Sequence, residues 1–267
     1  PNTNGCGAHF TRTKAMLSGL RELIQRDAFL LFWLRRVAPP RIDISTIRHP
    51  ESRKLLDELL RSGLRIEICD LTIDTGESVV LAGIINENGE APSVGISAGC
   101  DRNKEDAIYG ALQEVMASYH GFGLTSRDMD LPAGYVPFFT EGIDRMRRIA
   151  LGANPARAGE YLWFFTGEVR PLESKTKEEV TPEVALQDIL DAFRAKQWPV
   201  YCYEATHPLL KKLGYHVVHV LAPHLISLFL NETNIPLRHQ RLTEHFPHEH
   251  IPNADMQAIN PVPHPFP

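Results

Sequence analysis

Apolar residues recur at helical spacing near the start of the chain. Over 13–36 they lie three and four positions apart, and Phe29 to Leu34 are apolar without interruption. Pro39 and Pro40 follow, and proline cannot continue a helix. The pattern predicts one long helix that is most deeply buried in its second half.

The next third of the chain changes from helical spacing to alternation. It predicts a short helix over 51–61 and then strands over 65–71, 79–85 and 93–96, with a turn at Asn88-Gly89 before the last strand. Asp101 or Asn103 can cap a helix that ends near 119, and 121–134 is expected to be loop-rich. Short connections of this kind join antiparallel strands.

Helices and strands continue to alternate in the last part of the chain. The predicted elements are a strand over 161–165, a helix over 184–196 started by Thr181-Pro182, strands over 200–203 and 216–221, and a short helix over 208–213 between those strands. No periodicity remains from 242 onward. We predict an α+β fold, an α/β sandwich with a mixed, largely antiparallel sheet, in which residues 1–241 form the domain and 242–267 an aperiodic Pro- and His-rich tail.

Composition excludes several classes of function. The 267 residues are 43% hydrophobic and 23% charged, with a net charge of −5 and no dense Lys/Arg run, which argues against nucleic-acid binding. No apolar stretch approaches the roughly 20 residues that cross a bilayer, and no secretory signal opens the chain. We therefore expect a cytoplasmic protein that does not bind membranes. The four cysteines, Cys6, Cys69, Cys100 and Cys202, are far apart, and each is expected to be a small buried hydrophobe.

Two predicted helices place an acid in a stripe of small residues. Glu22 and Arg26 share such a stripe on the first helix, and Glu114 follows Gly110 on the second. An acid among small side chains either pairs with a cationic group or binds a metal, and two of them could share Mg²⁺. The alternative is an ordinary i,i+4 salt bridge between Glu22 and Arg26. No Gly-x-x-x-x-Gly-Lys-Ser/Thr, Gly-x-Gly-x-x-Gly or kinase motif occurs to decide between them.

The sequence around these acids resembles the YcaO family. Gly5 to Thr11, followed by Leu20 to Ala28, is similar to the family's second nucleotide motif, a Gly-rich loop and a Leu-x-Glu-x-x-Glu-Arg-Asp helix. Ser97 to Glu114 is similar to its third motif, and Thr206 to Pro223 to its C-terminal strand region. The ending Pro263-His264-Pro265-Phe266-Pro267 resembles the Pro-x-Pro-x-Pro of azoline-forming, microcin-type members.

This resemblance implies an ATP-dependent peptide cyclodehydratase. Such an enzyme converts Cys, Ser or Thr of a ribosomal precursor peptide to thiazoline or oxazoline by phosphorylating a backbone amide oxygen. The implied cofactors are ATP and Mg²⁺. The implied positions are Glu22 and Glu114 for the metal, Glu22, Gln25, Arg26, Glu114, His9 and Thr11 for the nucleotide, and the carboxylate of Pro267 for catalysis. A leader-binding E1-like protein, a flavin-dependent dehydrogenase and a second copy of the chain are the expected partners.

Several positions depart from the family's pattern. Gln25 stands for the second acid of the helix motif, Gly110 for an Arg, Phe10 for an Asn and Lys14 for an acid. Lys14, Arg102 and Lys104 are candidates to replace the lost positive charge. The first motif, Ser-x-x-Glu-x-x-Glu-Arg, is not found, so the chain is expected to be the C-terminal part of a longer protein, or half of a split one.

Other interpretations stay open at this point. The same ATP chemistry could form a thioamide or amidine, and a non-catalytic subunit of a peptide-modifying complex is compatible with Gln25 and Gly110. The Pro-rich end could be a disordered tail or an SH3-type ligand. His9 could be a structural residue of its loop. The histidines at 239, 245, 248 and 250 are expected to be solvated instead of forming a zinc site.

Overall fold

The structure is a computed structural model that describes residues 3–126, 143, 145–173, 179–229, 231, 233, 235, 238–243 and 259–266. The helices of this part of the chain are α1 (Arg12–Leu34), α2 (Pro50–Arg61), α3 (Lys104–Ser126), α4 (Arg145–Ala153), α5 (Gly159–Leu162), α6 (Pro182–Ala195), α7 (Pro208–Lys212) and α8 (Gln240–Thr243). The strands are β1 (Cys6–His9), β2 (Arg41–Ile42), β3 (Arg65–Asp70), β4 (Ser78–Ile85), β5 (Val94–Asp101), β6 (Val169–Arg170), β7 (Tyr201–Glu204) and β8 (His216–Leu221).

The strands form two sheets. One sheet has three strands in the order β1-β8-β7, and the other has five in the order β5-β4-β3-β2-β6. Every described pairing is antiparallel except that of β2 with β6. The predicted fold class, a mixed and largely antiparallel sheet packed with helices, is confirmed, although the strands are divided between two sheets.

Helix α1 lies between the two sheets. It contacts β1 and β8 on one side and β4 and β5 on the other. Its residues from Phe29 to Leu34 are all at most 1% exposed, as the uninterrupted apolar run predicts. Close approach to the small sheet requires Gly19, since a Cβ there would lie 2.5 Å from the carbonyl oxygen of Gly5. The small stripe of α1 is therefore a packing surface for a strand.

Helix α3 covers the opposite face of the five-stranded sheet. It packs on β5 and β4, and its apolar stripe joins a second core cluster with α2 and β3. A Cβ on Gly99 of β5 would lie 2.1 Å from the carbonyl oxygen of Ala107, so the helix backbone rests directly on the strand. The two acid-bearing helices thus flank the same edge strand, β5.

Three local predictions are wrong. Residues 161–165 are not a strand but α5 followed by a 3-10 turn, Trp163–Phe165. Tyr161, Phe164 and Phe165 are buried, and their spacing of three and four matches a helical turn that points all three rings into the core. The loop expected over 121–134 begins later, because α3 continues to Ser126, and residues 127–134 lie outside the described part.

The third correction concerns the cysteines. Cys69 is buried as expected, Cys100 and Cys202 are partly buried, and Cys6 is exposed. Cys6 belongs to β1, where exposed and buried positions alternate, and its neighbour Gly7 takes the buried face. All four are free thiols.

Residues 259–266 are part of the core. Trp33 Nε1 donates a hydrogen bond to the Val262 carbonyl at 3.0 Å, and the Asn260 amide donates to the Leu34 carbonyl at 2.8 Å. Phe266 packs on Phe29 with ring centroids 4.9 Å apart. For these residues a disordered tail is excluded. Within the described residues, no helix has the length and apolar character needed to cross a bilayer.

Candidate functional site

The loop before α1 sets the start of that helix. Thr11 is its N-cap, and the Thr11 hydroxyl accepts a hydrogen bond from the Lys14 amide at 3.3 Å. The Thr11 amide in turn donates to Nδ1 of His9 at 3.3 Å. Both residues, which the resemblance assigns to nucleotide binding, therefore have a structural role here as well.

Glu22 and Arg26 form the i,i+4 pair that the spacing predicts, at 2.7 Å between Oε1 and Nη2. The other carboxylate oxygen of Glu22 accepts from the Gly5 amide at 2.7 Å, and Nη1 of Arg26 donates to Asn4 Oδ1 at 2.5 Å. These bonds fix the Gly-rich loop onto α1. The Arg26 Nε is buried and has no hydrogen-bond partner among the described residues, so one donor remains for a ligand.

Glu114 lies within electrostatic reach of that pair. Burial raises the pKa of Glu114, and the charge of Glu22 raises it further, whereas Arg26 opposes the shift. Burial also raises the pKa of Glu22, against the effects of Arg26 and the Gly5 amide. For Arg26, burial lowers the pKa, and both glutamates oppose that change. Glu22 is partly buried and pairs with Arg26, whereas Glu114 is an exposed residue that interacts with the same guanidinium through its charge alone, so these three groups carry a net negative charge.

A cavity of about 460 Å³ opens on the face of α1 that carries Glu22. The cavity is lined by Lys14, Leu17, Ser18, Arg21, Glu22, Gln25, Cys100 and Pro182. The lining combines one acid with two basic side chains, a hydroxyl and an amide. Neither Arg26 nor Glu114 lines it, so they lie to one side of the space that Glu22 borders.

Arg21 is a residue of this cavity that the sequence did not indicate. Its Nε donates to Glu77 at 2.7 Å, and Nη1 bonds the carboxylate of Asp101. Glu77 is only 3% exposed, so Arg21 serves to balance a buried acid. The contact joins positions 56 and 80 residues apart, and no local spacing could have indicated it.

The residues present fit a divalent cation that a ligand helps to hold. No group of three or more His, Cys, Asp or Glu in the described part of the chain could enclose a metal. However, Mg²⁺ is commonly held by one or two carboxylates together with phosphate oxygens and water. Glu22 and Glu114, with their unbalanced charge, match that kind of site. The neighbouring Arg26 Nε–H matches a phosphate oxygen.

Asp27, the last acid of the helix motif, has a different task. Its carboxylate is fully buried and paired with Arg241 of α8 at 2.5 Å, and it accepts from the Ile226 amide at 2.8 Å. Asp74 holds the same guanidinium at 2.9 Å. Burial disfavours the charge of Arg241, but the attraction of Asp27 and the bonds to Asp74 outweigh it and raise its pKa. This triad ties α1 to residues near the C-terminal end.

The described end of the chain also packs against α1. His264 is fully buried and donates from Nε2 to the Phe229 carbonyl at 3.2 Å. Burial lowers the pKa of His264 well below its ordinary value, and the charges of Arg148 and Arg26 lower it further. His264 therefore stays neutral within the electrostatic field of Arg26. Pro267 itself lies outside the described residues, as do the histidines at 245, 248 and 250.

Several other residues singled out in the sequence lie away from Glu22 and Arg26 or have other partners. Arg102 and Lys104, two candidate cations, pair with Asp188 and with Asp70, respectively. At Gly110 a Cβ would meet nothing within 4 Å, so the space beside this position is open in the described part of the chain. The described histidine of the C-terminal group, His239, donates from Nε2 to the Pro223 carbonyl at 3.3 Å. It takes no part in the candidate site.

Comparison with known proteins identifies one family. The family model described as YcaO cyclodehydratase, ATP- and Mg²⁺-binding, matches residues 1–226. An uncharacterised protein of Methanothermobacter thermautotrophicus is 31% identical over 153 residues, which cover 55% of this chain and 38% of that protein. The match to the family thus extends over the Gly-rich loop and both acid-bearing helices.

Solved structures share the fold at low identity. A heterocyclase in complex with substrate and cofactor has a TM-score of 0.72 at 18% identity, covering 99% of this chain and 33% of its own. YcaO from Methanopyrus kandleri bound with AMPPCP and Mg²⁺ has 0.60 at 20%, covering 83% and 55%. The E. coli microcin synthetase McbBCD complex with pro-MccB17 bound has 0.62 at 17%, covering 100% and 63%. This chain spans less than two thirds of each protein compared.

Proposed function

Because this chain belongs to the YcaO family, we propose that it contributes the ATP- and Mg²⁺-binding site of a peptide cyclodehydratase. The observation that carries the proposal is the arrangement of Glu22, Arg26 and Glu114. A partly buried carboxylate, Glu22, and an exposed one, Glu114, both with raised pKa values, lie near one guanidinium that keeps a free buried donor. Such a site suits a metal-bound polyphosphate better than it suits a structural salt bridge, which would leave no charge unbalanced.

The proposed substrate is a ribosomal precursor peptide containing Cys, Ser or Thr. The side chain of that residue adds to the preceding backbone carbonyl, the resulting oxygen takes the γ-phosphoryl group of ATP, and it leaves as phosphate, closing a thiazoline or oxazoline ring. Catalysis of this kind depends on positioning and on neutralising phosphate charge. Glu22 and Glu114 would hold Mg²⁺, which supplies positive charge at the phosphates when bound. Arg26 would donate to a phosphate oxygen.

Other residues of the site have supporting tasks in this proposal. Gln25 lines the cavity beside Glu22 and offers an amide that can bind an oxygen of the nucleotide. His9 and Thr11 hold the loop whose Gly5 amide orients Glu22. In this role they would fix the position of the nucleotide-binding loop.

The carboxylate of Pro267 is proposed as the group that removes or organises protons. The support comes from the residues before it, because 259–266 are built into the core and Phe266 packs on Phe29, which lies about one helical turn after Arg26 on α1. A carboxylate at the chain end is ionised at neutral pH, and alternating prolines hold it at little entropic cost. Extending the chain by a few residues beyond Pro267 should abolish ring formation while ATP binding persists. Unchanged ring formation would remove the carboxylate from catalysis.

Measurement of phosphate release tests the proposed reaction. With a Cys- or Ser-containing peptide, phosphate should appear together with a loss of 18 Da per ring in the peptide, about the mass of one water, as cyclodehydration requires. Phosphate release with a peptide mass change of a different kind would favour thioamide or amidine formation. Failure to bind ATP and Mg²⁺ would contradict the proposal for this chain.

A non-catalytic subunit is the second candidate function. It is favoured by the same cavity, where Lys14 and Gln25 leave Glu22 as the one carboxylate of the lining. In either case we propose that the chain works with a leader-binding E1-like protein, a flavin-dependent dehydrogenase and a second copy of itself. The microcin synthetase of similar fold is itself a complex with its peptide bound.

A further inference from the structure

The cavity beside Glu22 holds one cation without a protein partner in the described part of the chain. Arg21 is balanced by Glu77 and Asp101, whereas no hydrogen bond or ion pair engages the ammonium group of Lys14 among the described residues. Lys14 is exposed at the mouth of the cavity, two helical turns before Glu22. The cavity therefore combines a fixed carboxylate with a lysine free to bind an anion.

The structure removes the other candidates for this role. Arg102 pairs with Asp188, and Lys104 bonds Asp70 at 2.7 Å, so both charges are already used. Lys104 also lines a different cavity, between β2, β3 and the segment after β6. Among Lys14, Arg102 and Lys104, Lys14 is the one that lines the same cavity as Glu22 and Gln25.

A lysine and a divalent metal can both bind a polyphosphate, but a chelator removes only the metal. Both attract phosphate oxygens, yet the ammonium group stays in place when the metal is removed. We propose that Lys14 binds the phosphates of the nucleotide directly, as a built-in cation of the Glu22 cavity, so that the nucleotide keeps part of its affinity without Mg²⁺. This inference rests on the proposed nucleotide site.

The experiment compares the binding of AMPPCP and of adenosine to the full chain by calorimetry, in Mg²⁺ and in EDTA. Lys14→Met should weaken AMPPCP binding in EDTA by about tenfold or more, the effect of one charge-assisted contact, and leave adenosine binding unchanged. Lys14→Arg should keep most of the affinity. Lys14→Glu should make binding depend more steeply on Mg²⁺ than in the unaltered protein, because it exchanges the ammonium for a potential metal ligand.

The matched control is Lys54→Met, which removes an exposed lysine from α2 on the other face of the five-stranded sheet. Since Lys14 and Lys54 are both exposed, neither change should alter thermal unfolding by much. Equal AMPPCP affinity of the Lys14→Met and unaltered proteins in EDTA would overturn the inference, as would an equal loss of adenosine affinity. If the unaltered protein binds AMPPCP in Mg²⁺ and not in EDTA, the inference fails and the proposed function stands. If it binds in neither, both fail.

Discussion

Glu22 has bonding partners on both carboxylate oxygens, the Gly5 amide and Arg26. A metal bound at this carboxylate, as proposed, would share it with the loop and with the guanidinium. The loop, the arginine and the acid form one motif because Glu22 bonds both the Gly5 amide and the Arg26 guanidinium and so holds all three in position. This arrangement also means that a neutral replacement can keep the loop in place while it removes the charge.

The change Glu22→Gln tests that separation of roles. Because a glutamine oxygen can still accept from the Gly5 amide, we expect the fold to persist and the affinity for Mg²⁺ with AMPPCP to fall about 10- to 100-fold. Glu90→Gln, at an exposed residue of the turn between β4 and β5, is the matched control and should bind normally. Calorimetry gives both affinities. Normal binding by Glu22→Gln would exclude this carboxylate as a ligand.

The pH dependence of metal binding follows from the raised pKa values of Glu22 and Glu114. A cation binds the ionised carboxylates, so its affinity is complete above the raised pKa values and is lost as the pH falls through them. The loss should begin at a higher pH than an ordinary glutamate, near 4.5, would give. Mn²⁺ titrations followed by electron paramagnetic resonance at several pH values measure it. An affinity that stays constant down to pH 4.5 would contradict the shifts.

Among contacts between individual side chains, the sequence predicts only those between residues that are close together on one helix or strand. Glu22 and Arg26 are four residues apart on one helix, so their pairing follows from helical geometry. The contact of Arg21 with Glu77 and the link between Asp27 and Arg241 join distant parts of the chain. No periodicity encodes such contacts, and they become visible only when the folded helices and strands are in place.

Helix α1 packs closely against the three-stranded sheet at Gly19, whereas Gly110 of α3 has open space beside it. Gly19→Ala would place a methyl group 2.5 Å from the Gly5 carbonyl oxygen, whereas at Gly110 nothing lies within 4 Å. We expect Gly19→Ala to destabilise the protein by about 1–3 kcal/mol. Gly110→Ala should stabilise it by up to about 1 kcal/mol, since alanine is the better helix former. Chemical denaturation compares the two, and equal effects would contradict the described packing.

The buried pair of Asp27 and Arg241 holds α1 to α8. Asp27→Asn can still accept from the Ile226 amide but leaves the guanidinium with one acid, Asp74. Loss of one partner from a buried ion pair costs about 3–5 kcal/mol, so a large fall in unfolding free energy is expected. Asp57→Asn, at a 55% exposed residue paired with Arg53, should cost about 1 kcal/mol or less. A similar small cost for both variants would show that the pair does not tie the helices.

Most elements could be predicted because their ends carry local signals. Thr181-Pro182 starts α6, and the Thr181 hydroxyl accepts from the Val184 amide as an N-cap does. The segment 161–165 is predicted to be a strand but is helical, because its buried aromatic residues are spaced as in a helical turn. The core around Trp33 decides the conformation of this segment, since the rings of Tyr161 and Phe164 pack against the Trp33 ring.

For the molecule as a whole, residues 259–266 change the meaning of the Pro-rich end. They pack against α1, where Phe266 contacts Phe29 and Trp33 Nε1 donates a hydrogen bond to the Val262 carbonyl. The sequence indicated the motif but not its burial, because a Pro-x-Pro-x-Pro ending is compatible with a free tail. The partners that bury it come from α1 and from the segment around Phe229, far away in sequence.

The buried His264 makes stability depend on pH. Its pKa is lowered in the folded state, so below the unfolded value of about 6.5 the unfolded chain takes up a proton that the folded protein excludes. The unfolding free energy should therefore fall by up to about 1.4 kcal/mol per pH unit below that value. His264→Gln should reduce this slope, and His120→Gln, at an exposed residue of α3, should leave it unchanged. Identical slopes in all three proteins would show that His264 titrates freely.

The position of the bound metal tests the central claim most directly. Crystals of the chain grown with AMPPCP and Mn²⁺ can be measured at the manganese absorption edge, where anomalous scattering locates the ion. The proposed site predicts a peak in coordination distance of both Glu22 and Glu114, with a phosphate of the nucleotide beside Arg26. A fully occupied metal that contacts neither glutamate would contradict the proposed site.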